Sequence, residues 1–338
     1  MKRLSVALFL ILIVLIATPV PGGNAASKLS AAAPAKSAAR LPVILTTDCG
    51  ADMDDQWTLA QLAVAPEIEL RGVVTTHAPT LAAPAAETSA RVVRGALAHM
   101  PPGSVRPPVF AGSDVPLPAK TRPLSNAGVS FIVEQSRAFS PERRLVVLVT
   151  GAATDVASAL LVDETLAERI EIIAMGFEKW PAGGDSWNVK NDPAAWQVIL
   201  ASNVPVTIGD AGVTRRDLTL TRAQARALFT EQGEAGQYLI DVFEAWLKKE
   251  AELCRRVTGR ADAWPIWDQV VIAHLLNLTR AEQHQRPLLR DDLRFVHPPA
   301  NAKPGKTVNW ITAIDSRRLW KHFTTNLDRA RNLLDVRR

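Results

Sequence analysis

LPVILTTDCGADMDDQWTLA, residues 41–60, holds the transition from which the fold can be read. Val43, Ile44 and Leu45 form an apolar run without polar alternation, the pattern of a parallel strand buried on both faces. The run ends in Thr46, Thr47 and Asp48, and a turn follows with Gly50 and the further acids Asp52, Asp54 and Asp55. Trp57, Ala60 and Val64 then share one helical face. A strand that empties through a loop into a helix puts that loop at the carboxyl edge of the sheet, where α/β proteins bind ligands. Four acids within eight residues repel one another unless a positive charge sits among them. A hard divalent cation with oxygen ligands, Ca²⁺ or Mg²⁺, meets that need. The alternative is a solvated acidic turn at a helix N-terminus, which also favours carboxylates. The offsets of the glycine and of a closing glutamate exclude an EF-hand loop.

Outward from this turn, apolar runs at residues 68–76, 108–112, 144–150, 170–176 and 204–209 read as strands. Helical patterns separate them at residues 85–100, 129–139 and 154–161, and Asp192-Pro193 opens a helix to residue 201 with proline at its first position. Nearly uniform apolar strands alternating with helices specify an α/β fold with a mainly parallel central sheet flanked by helices. Residues 221–278 read as mainly helical, most clearly at 237–254 and 267–276. Strands at 293–297 and 307–314 and a helix over 317–334 complete the chain, with no internal repeat.

The 338 residues carry a net charge of +5 and are 47% apolar, ample for a globular core. The basic excess sits partly at the ends and in scattered pairs such as Arg215-Arg216. No basic stripe with interleaved aromatics appears, which argues against a nucleic-acid partner. Residues 1–25 read as a secretory signal peptide: Lys2 and Arg3 precede an apolar run, and Pro19, Pro21, Gly22 and Gly23 end it. An uncleaved anchor is the second reading. Residues 26–40, rich in Ala, Ser, Lys and Pro, read as a flexible linker, and residues 41–338 as one domain. The expectation is an exported chain, periplasmic or extracellular, without stable membrane insertion after cleavage. Cys49 and Cys254 are expected as free thiols, because a bridge from Cys49 would constrain the acidic turn.

The turn Asp48, Gly50, Asp54-Asp55 resembles the signature of the inosine-uridine preferring nucleoside hydrolase family, in a longer variant. Three later segments resemble the same family in order: Thr150-Gly151 followed by Thr154-Asp155, Trp187-Asn188 followed by Asp192-Pro193, and Trp267-Asp268. The resemblance implies a calcium ion held by Asp48, Asp55, the Thr150 carbonyl and Asp268. It implies sugar binding by Asp54 and Asn188. The implied reaction is hydrolysis of the N-glycosidic bond of a ribonucleoside or related ribosyl compound, with metal-bound water as nucleophile and Asp48 as general base. Homodimers or homotetramers are implied as well.

The chain departs from that pattern at the sites for the base and the sugar. Trp267 stands where the family has a histidine linked to leaving-group activation, and Ser186 where it has a glutamate. A sugar-binding asparagine after the second strand is missing, so His77 or Thr80 would have to serve. Trp180, Trp187, Trp264 and Trp267 are candidates for stacking on the base, against the alternative of plain packing. His274, on an apolar helical face, reads as structural. The competing readings are a non-catalytic calcium and sugar binding protein on the same scaffold and, more remotely, an aspartate-nucleophile phosphotransferase. The second lacks its usual acid two residues after the first, where Gly50 stands.

Overall fold

The residues of β1 (Leu41–Thr47) divide between two hydrophobic cores. Val43 and Leu45 face one core and Ile44 the other, so a run without polar alternation is what this position requires. The computed structural model describes residues 40–184, 187–299, 301, 303 and 305–333. The other described strands are β2 (Ile68–Thr75), β3 (Val109–Ala111), β4 (Leu145–Val149), β5 (Ile170–Met175), β6 (Val206–Gly209), β7 (Thr219–Thr221), β8 (Ala263–Pro265), β9 (Thr279–Gln285), β10 (Leu288–Leu289), β11 (Phe295–Val296) and β12 (Thr307–Ile314). Eight of them form one sheet in the order β3-β2-β1-β4-β5-β6-β12-β9. All pairings in it are parallel except β12 with β9. The fold is therefore α/β with a mainly parallel sheet, as the alternating pattern specifies.

The helices are α1 (Asp54–Val64), α2 (Ala85–Ala98), α3 (Ala127–Ser136), α4 (Thr154–Val162), α5 (Leu166–Arg169), α6 (Trp187–Asn191), α7 (Pro193–Ala201), α8 (Ala211–Asp217), α9 (Arg222–Phe229), α10 (Gly233–Lys249), α11 (Ala251–Thr258), α12 (Gln269–Leu275) and α13 (Ser316–Asn332). One core packs α1, α2, α10, α12 and α13 against the sheet, and the other packs α3, α4 and α7. No helix among the described residues is long and apolar enough to cross a membrane. The signal peptide and all but the last residue of the linker lie outside the described residues, as does Ser186.

Several sequence expectations are corrected. The helix expected over 237–254 is two helices, α10 and α11, because Glu250 leaves helical geometry at φ −109°, ψ 31°. No proline or glycine marks that break. The strand expected over 293–297 shortens to β11, since Leu293 sits at φ 66°, outside extended geometry. Strand β9 had no signal, because its residues are almost all exposed or half-buried at a sheet edge and carry no apolar alternation.

What matters for function is where the strand order turns. β1 lies between β2 and β4, so the chain runs outward from it in both directions. The crevice at the carboxyl ends of β1 and β4 is the topological switch point, where open α/β sheets bind ligands. Asp48 follows β1 and Thr150 follows β4. The Thr150 N–H donates to the Thr46 carbonyl at 2.9 Å, which brings the two strand ends together.

Candidate metal centre and cavity

The acidic turn is shaped by its glycine. Gly50 has φ +99°, a left-handed conformation that L side chains rarely adopt, and the Ala51 N–H closes the turn on the Asp48 carbonyl at 3.0 Å. Gly151 has a different reason: a Cβ there would stand 2.7 Å from the Asp48 backbone nitrogen. The end of β4 can approach Asp48 only without a side chain.

Asp54 and Asp55 open α1, and Asp268 immediately precedes α12. The two helix N-termini present their positive ends to these acids. One oxygen from each of Asp54, Asp55 and Asp268 lies within 4.8 Å of the others, and all three residues are buried. The Asp268 N–H donates to Asp54 Oδ2 at 3.1 Å. The Thr150 hydroxyl donates to Asp55 Oδ1 at 3.1 Å, and the Thr47 hydroxyl donates to the same oxygen. Asp48 stands beside this group. Its Oδ2 accepts from Trp187 Nε1 at 3.2 Å.

Burial first, and then the Asp54 charge, push the Asp48 carboxyl up to about 7. Burial and the Asp55 charge push Asp54 to about 8, and burial and the Asp48 charge do the same for Asp55. Asp268 is pushed well above the carboxylate range by burial and then by Asp54, Asp55 and Asp48. Two unit charges about 4 Å apart repel by about 4 kcal/mol at the effective dielectric of a protein near its surface. Helix ends and hydroxyl donors offset only part of that. The donor set is all oxygen, buried and surplus in negative charge, which fits a hard divalent cation.

These carboxylates line a cavity of about 440 Å³. Trp187, Asn188, Thr80 and Thr150 line it too, as do Trp246, Trp264 and Trp267. The Asn188 amide donates to the Met175 carbonyl at 3.1 Å. Of the residues singled out in the sequence, Asp48, Asp54, Asp55, Thr150, Asn188, Trp187, Trp267 and Asp268 are all brought to this cavity. Asp54, Asp55 and Asp268 form the close group of acids, and Asp48, which the resemblance also makes a ligand, stands beside them with Oδ2 accepting from Trp187.

His77 is not brought to the cavity. It is buried, its Nε2 lies 3.0 Å from the Thr154 hydroxyl, and desolvation lowers its pKa. Trp180 is also absent from the lining: it stacks on His284 with ring centroids 4.3 Å apart. His274 Nδ1 lies 2.8 Å from the Thr279 hydroxyl, a structural contact. Cys49 and Cys254 are buried and unpaired.

Sequence reading missed Glu178, Arg215, Trp246 and Lys249, which all line the cavity. Arg215 lies 5.7 Å from the Trp267 ring centroid and 3.1 Å from Glu178. The signal was available for two of them: Glu178 lies just past β5 and Arg215 on the helix after β6, both at the carboxyl edge.

The profile of the inosine-uridine preferring nucleoside hydrolases matches residues 43–321. The chain belongs to this family. Among curated proteins, the chain is similar to an uncharacterized protein of Schizosaccharomyces pombe, 27% identical over 267 residues, covering 70% of this chain and 80% of that protein. Among solved structures, it is similar to the purine-preferring ribonucleoside hydrolase from Gardnerella vaginalis, with a TM-score of 0.70 and 18% identity over 86% of this chain and 99% of the other. The inosine-uridine preferring nucleoside hydrolase from Bacillus anthracis gives 0.62 and 16% over 85% and 99%. The type III effector protein XopQ, complexed with adenosine diphosphate ribose, gives 0.60 and 17% over 87% and 94%. At these identities the structural likeness establishes a shared fold, and family membership rests on the profile.

Proposed function

We propose that this chain is a calcium-dependent hydrolase of the N-glycosidic bond in a ribonucleoside or related ribosyl compound. The observation that carries this is the convergence of Asp54, Asp55 and Asp268, with Asp48 beside them, on a cavity of nucleoside scale in a chain of this family. These carboxylates would hold a calcium ion, which would neutralise their charge and lower the pKa of water beside it.

Asp48 takes the proton of the attacking water, and the Trp187 N–H holds its carboxylate in place. The water oxygen bonds to the anomeric carbon as the bond to the base nitrogen breaks, and the base leaves with the electron pair and takes up a proton from solvent, to which Asp48 returns its own. Asp54 and Asn188 meet the sugar hydroxyls. The neighbouring carboxylates stabilise the positive charge that develops on the sugar. Trp267 offers its face to the departing base. The adenosine diphosphate ribose bound to XopQ supports extending the ligand class from nucleosides to other ribosyl compounds. The leader read in residues 1–25 supports action outside the cytoplasm, which fractionation of expressing cells would test.

The deciding experiment measures release of reducing sugar from inosine, adenosine, guanosine, uridine and cytidine, with and without chelator. Chelator-sensitive release supports the proposal. A second reading, a non-catalytic binder of calcium and sugar, is favoured by one observation: among the described residues no histidine lines the cavity. Calcium and ligand binding without release from any nucleoside would select that reading.

A further inference from the structure

We infer that Asp52 is a positioning residue that ties the carboxylate turn to the tryptophan side of the cavity through Trp264. The inference rests on the proposed hydrolase reading and adds to it how the leaving-group side is held. Asp52 lies between Gly50 and the pair Asp54-Asp55, yet it is not part of the convergent group of three. Its two oxygens are engaged differently from those of its neighbours. Oδ2 accepts from Trp264 Nε1 at 2.9 Å, and Oδ1 accepts from the Met53 backbone N–H at 2.5 Å.

Trp264 is the middle ring of three. It meets Trp267 edge-on, with centroids 5.7 Å apart and planes at 86°, and it meets Trp246 at 5.5 Å and 54°. All three line the cavity, and Trp264 itself is only 4% exposed. An indole has one polar atom, a donor, and Asp52 is its acceptor. The two outer rings each carry a cation at 5.7 Å: Arg215 over Trp267, and Lys249 over Trp246. Apolar burial is non-directional and by itself favours no single ring orientation. A directional bond to the metal-side turn selects one. That bond sets the tilt of Trp264 against Trp267, the residue adjoining Asp268, so the plane offered to a departing base is fixed relative to the carboxylates.

The test uses the full chain with Ca²⁺ and four variants: Asp52→Ala, Asp52→Asn, Trp264→Phe and the double Asp52→Ala/Trp264→Phe. On the fastest of inosine, adenosine and uridine, Asp52→Ala and Trp264→Phe should each lower kcat about tenfold with little change in KM. The double variant should be no worse than either, because both break one bond. Asp52→Asn should restore part of the loss, since its one amide oxygen can accept the Trp264 N–H while its amide nitrogen then faces the Met53 N–H. The near-ultraviolet circular dichroism of the tryptophan cluster should change in Asp52→Ala and return in part in Asp52→Asn, while the calcium-dependent gain in Tm stays in all four.

Additive losses, or loss of the calcium-dependent gain in Asp52→Ala, would each overturn the inference. A wild-type chain that releases no sugar would instead defeat the hydrolase reading. The dichroism then still decides the positioning role, which an unchanged Asp52→Ala spectrum would refute.

Discussion

Asp48 and Asp55 belong to one turn, but their surroundings assign them different work. Asp55 accepts from two threonine hydroxyls and shares close oxygen contacts with Asp54 and Asp268, as a metal ligand would. Asp48 accepts from one indole N–H and stays outside that group. Asp55→Ala should therefore abolish the calcium-dependent rise in Tm, measured by thermal unfolding with and without chelator. An undiminished rise would remove Asp55 from the metal site. Asp48→Asn should lower turnover by about 10² or more while keeping that rise, because a general base contributes on this order. Loss of the rise in Asp48→Asn would show Asp48 to be a ligand first. At this scale the sequence was informative about carboxylates and silent about their partners. That four acids crowd one turn is visible in the chain; that Trp187 and Trp264 donate to two of them is not, since 139 and 212 residues separate those pairs.

Elements place these residues by their ends. The starts of α1 and α12 supply the convergent acids, and α1 is held from behind by Trp57, which packs against Phe229, Phe243 and Trp320 and donates to the Leu239 carbonyl at 3.2 Å. Asp192 shows how a motif residue can be structural. It is fully buried and caps α7 through the Ala195 N–H at 2.9 Å. Its other oxygen accepts from the Leu117 N–H at 2.8 Å and the Thr154 hydroxyl at 2.7 Å. Asp192→Ala should cost about 2–4 kcal/mol of stability, a cap plus two unpaired buried donors, as read by denaturant unfolding. A loss under 1 kcal/mol would contradict that accounting. The Asp-Pro start of α7 was legible because capping and N1 proline are local. The division of α10 from α11 was not: Glu250 leaves helical geometry with no proline or glycine beside it, and Trp246, Lys249 and Glu250 at this break line the cavity.

For the whole molecule, the buried carboxylates link metal, pH and stability. Asp48, Asp54 and Asp55 hold their protons in the metal-free fold up to about 7, 8 and 8, where an unfolded carboxyl near 3.8 has lost its own. Their contribution to metal-free stability is thus full below 3.8 and is lost as pH rises through 7 to 8. Tm without metal should fall across that window, and the gain on adding calcium should grow over it, because ligands must be deprotonated to bind. A calcium gain independent of pH would mean Asp54 and Asp55 do not hold the ion. Uniform apolar strands, turn glycines and helix starts are local features, and they determined by themselves that the chain is an α/β protein with acids at a strand end. Tertiary structure alone decided which strands became neighbours, and so how Thr150 and Asp268 reach the first turn, a meeting that the chain announced only through its family resemblance. It alone turned His77 away from the cavity and brought Arg215 and four tryptophans to it. It also pinned Arg286, a buried guanidinium bonded to the carbonyls of Ile199, Ser202, Val204 and Thr307. The physical reason is that propensity and periodicity act within a few residues, whereas pairing order, burial and side-chain partners depend on contacts between segments far apart in the chain.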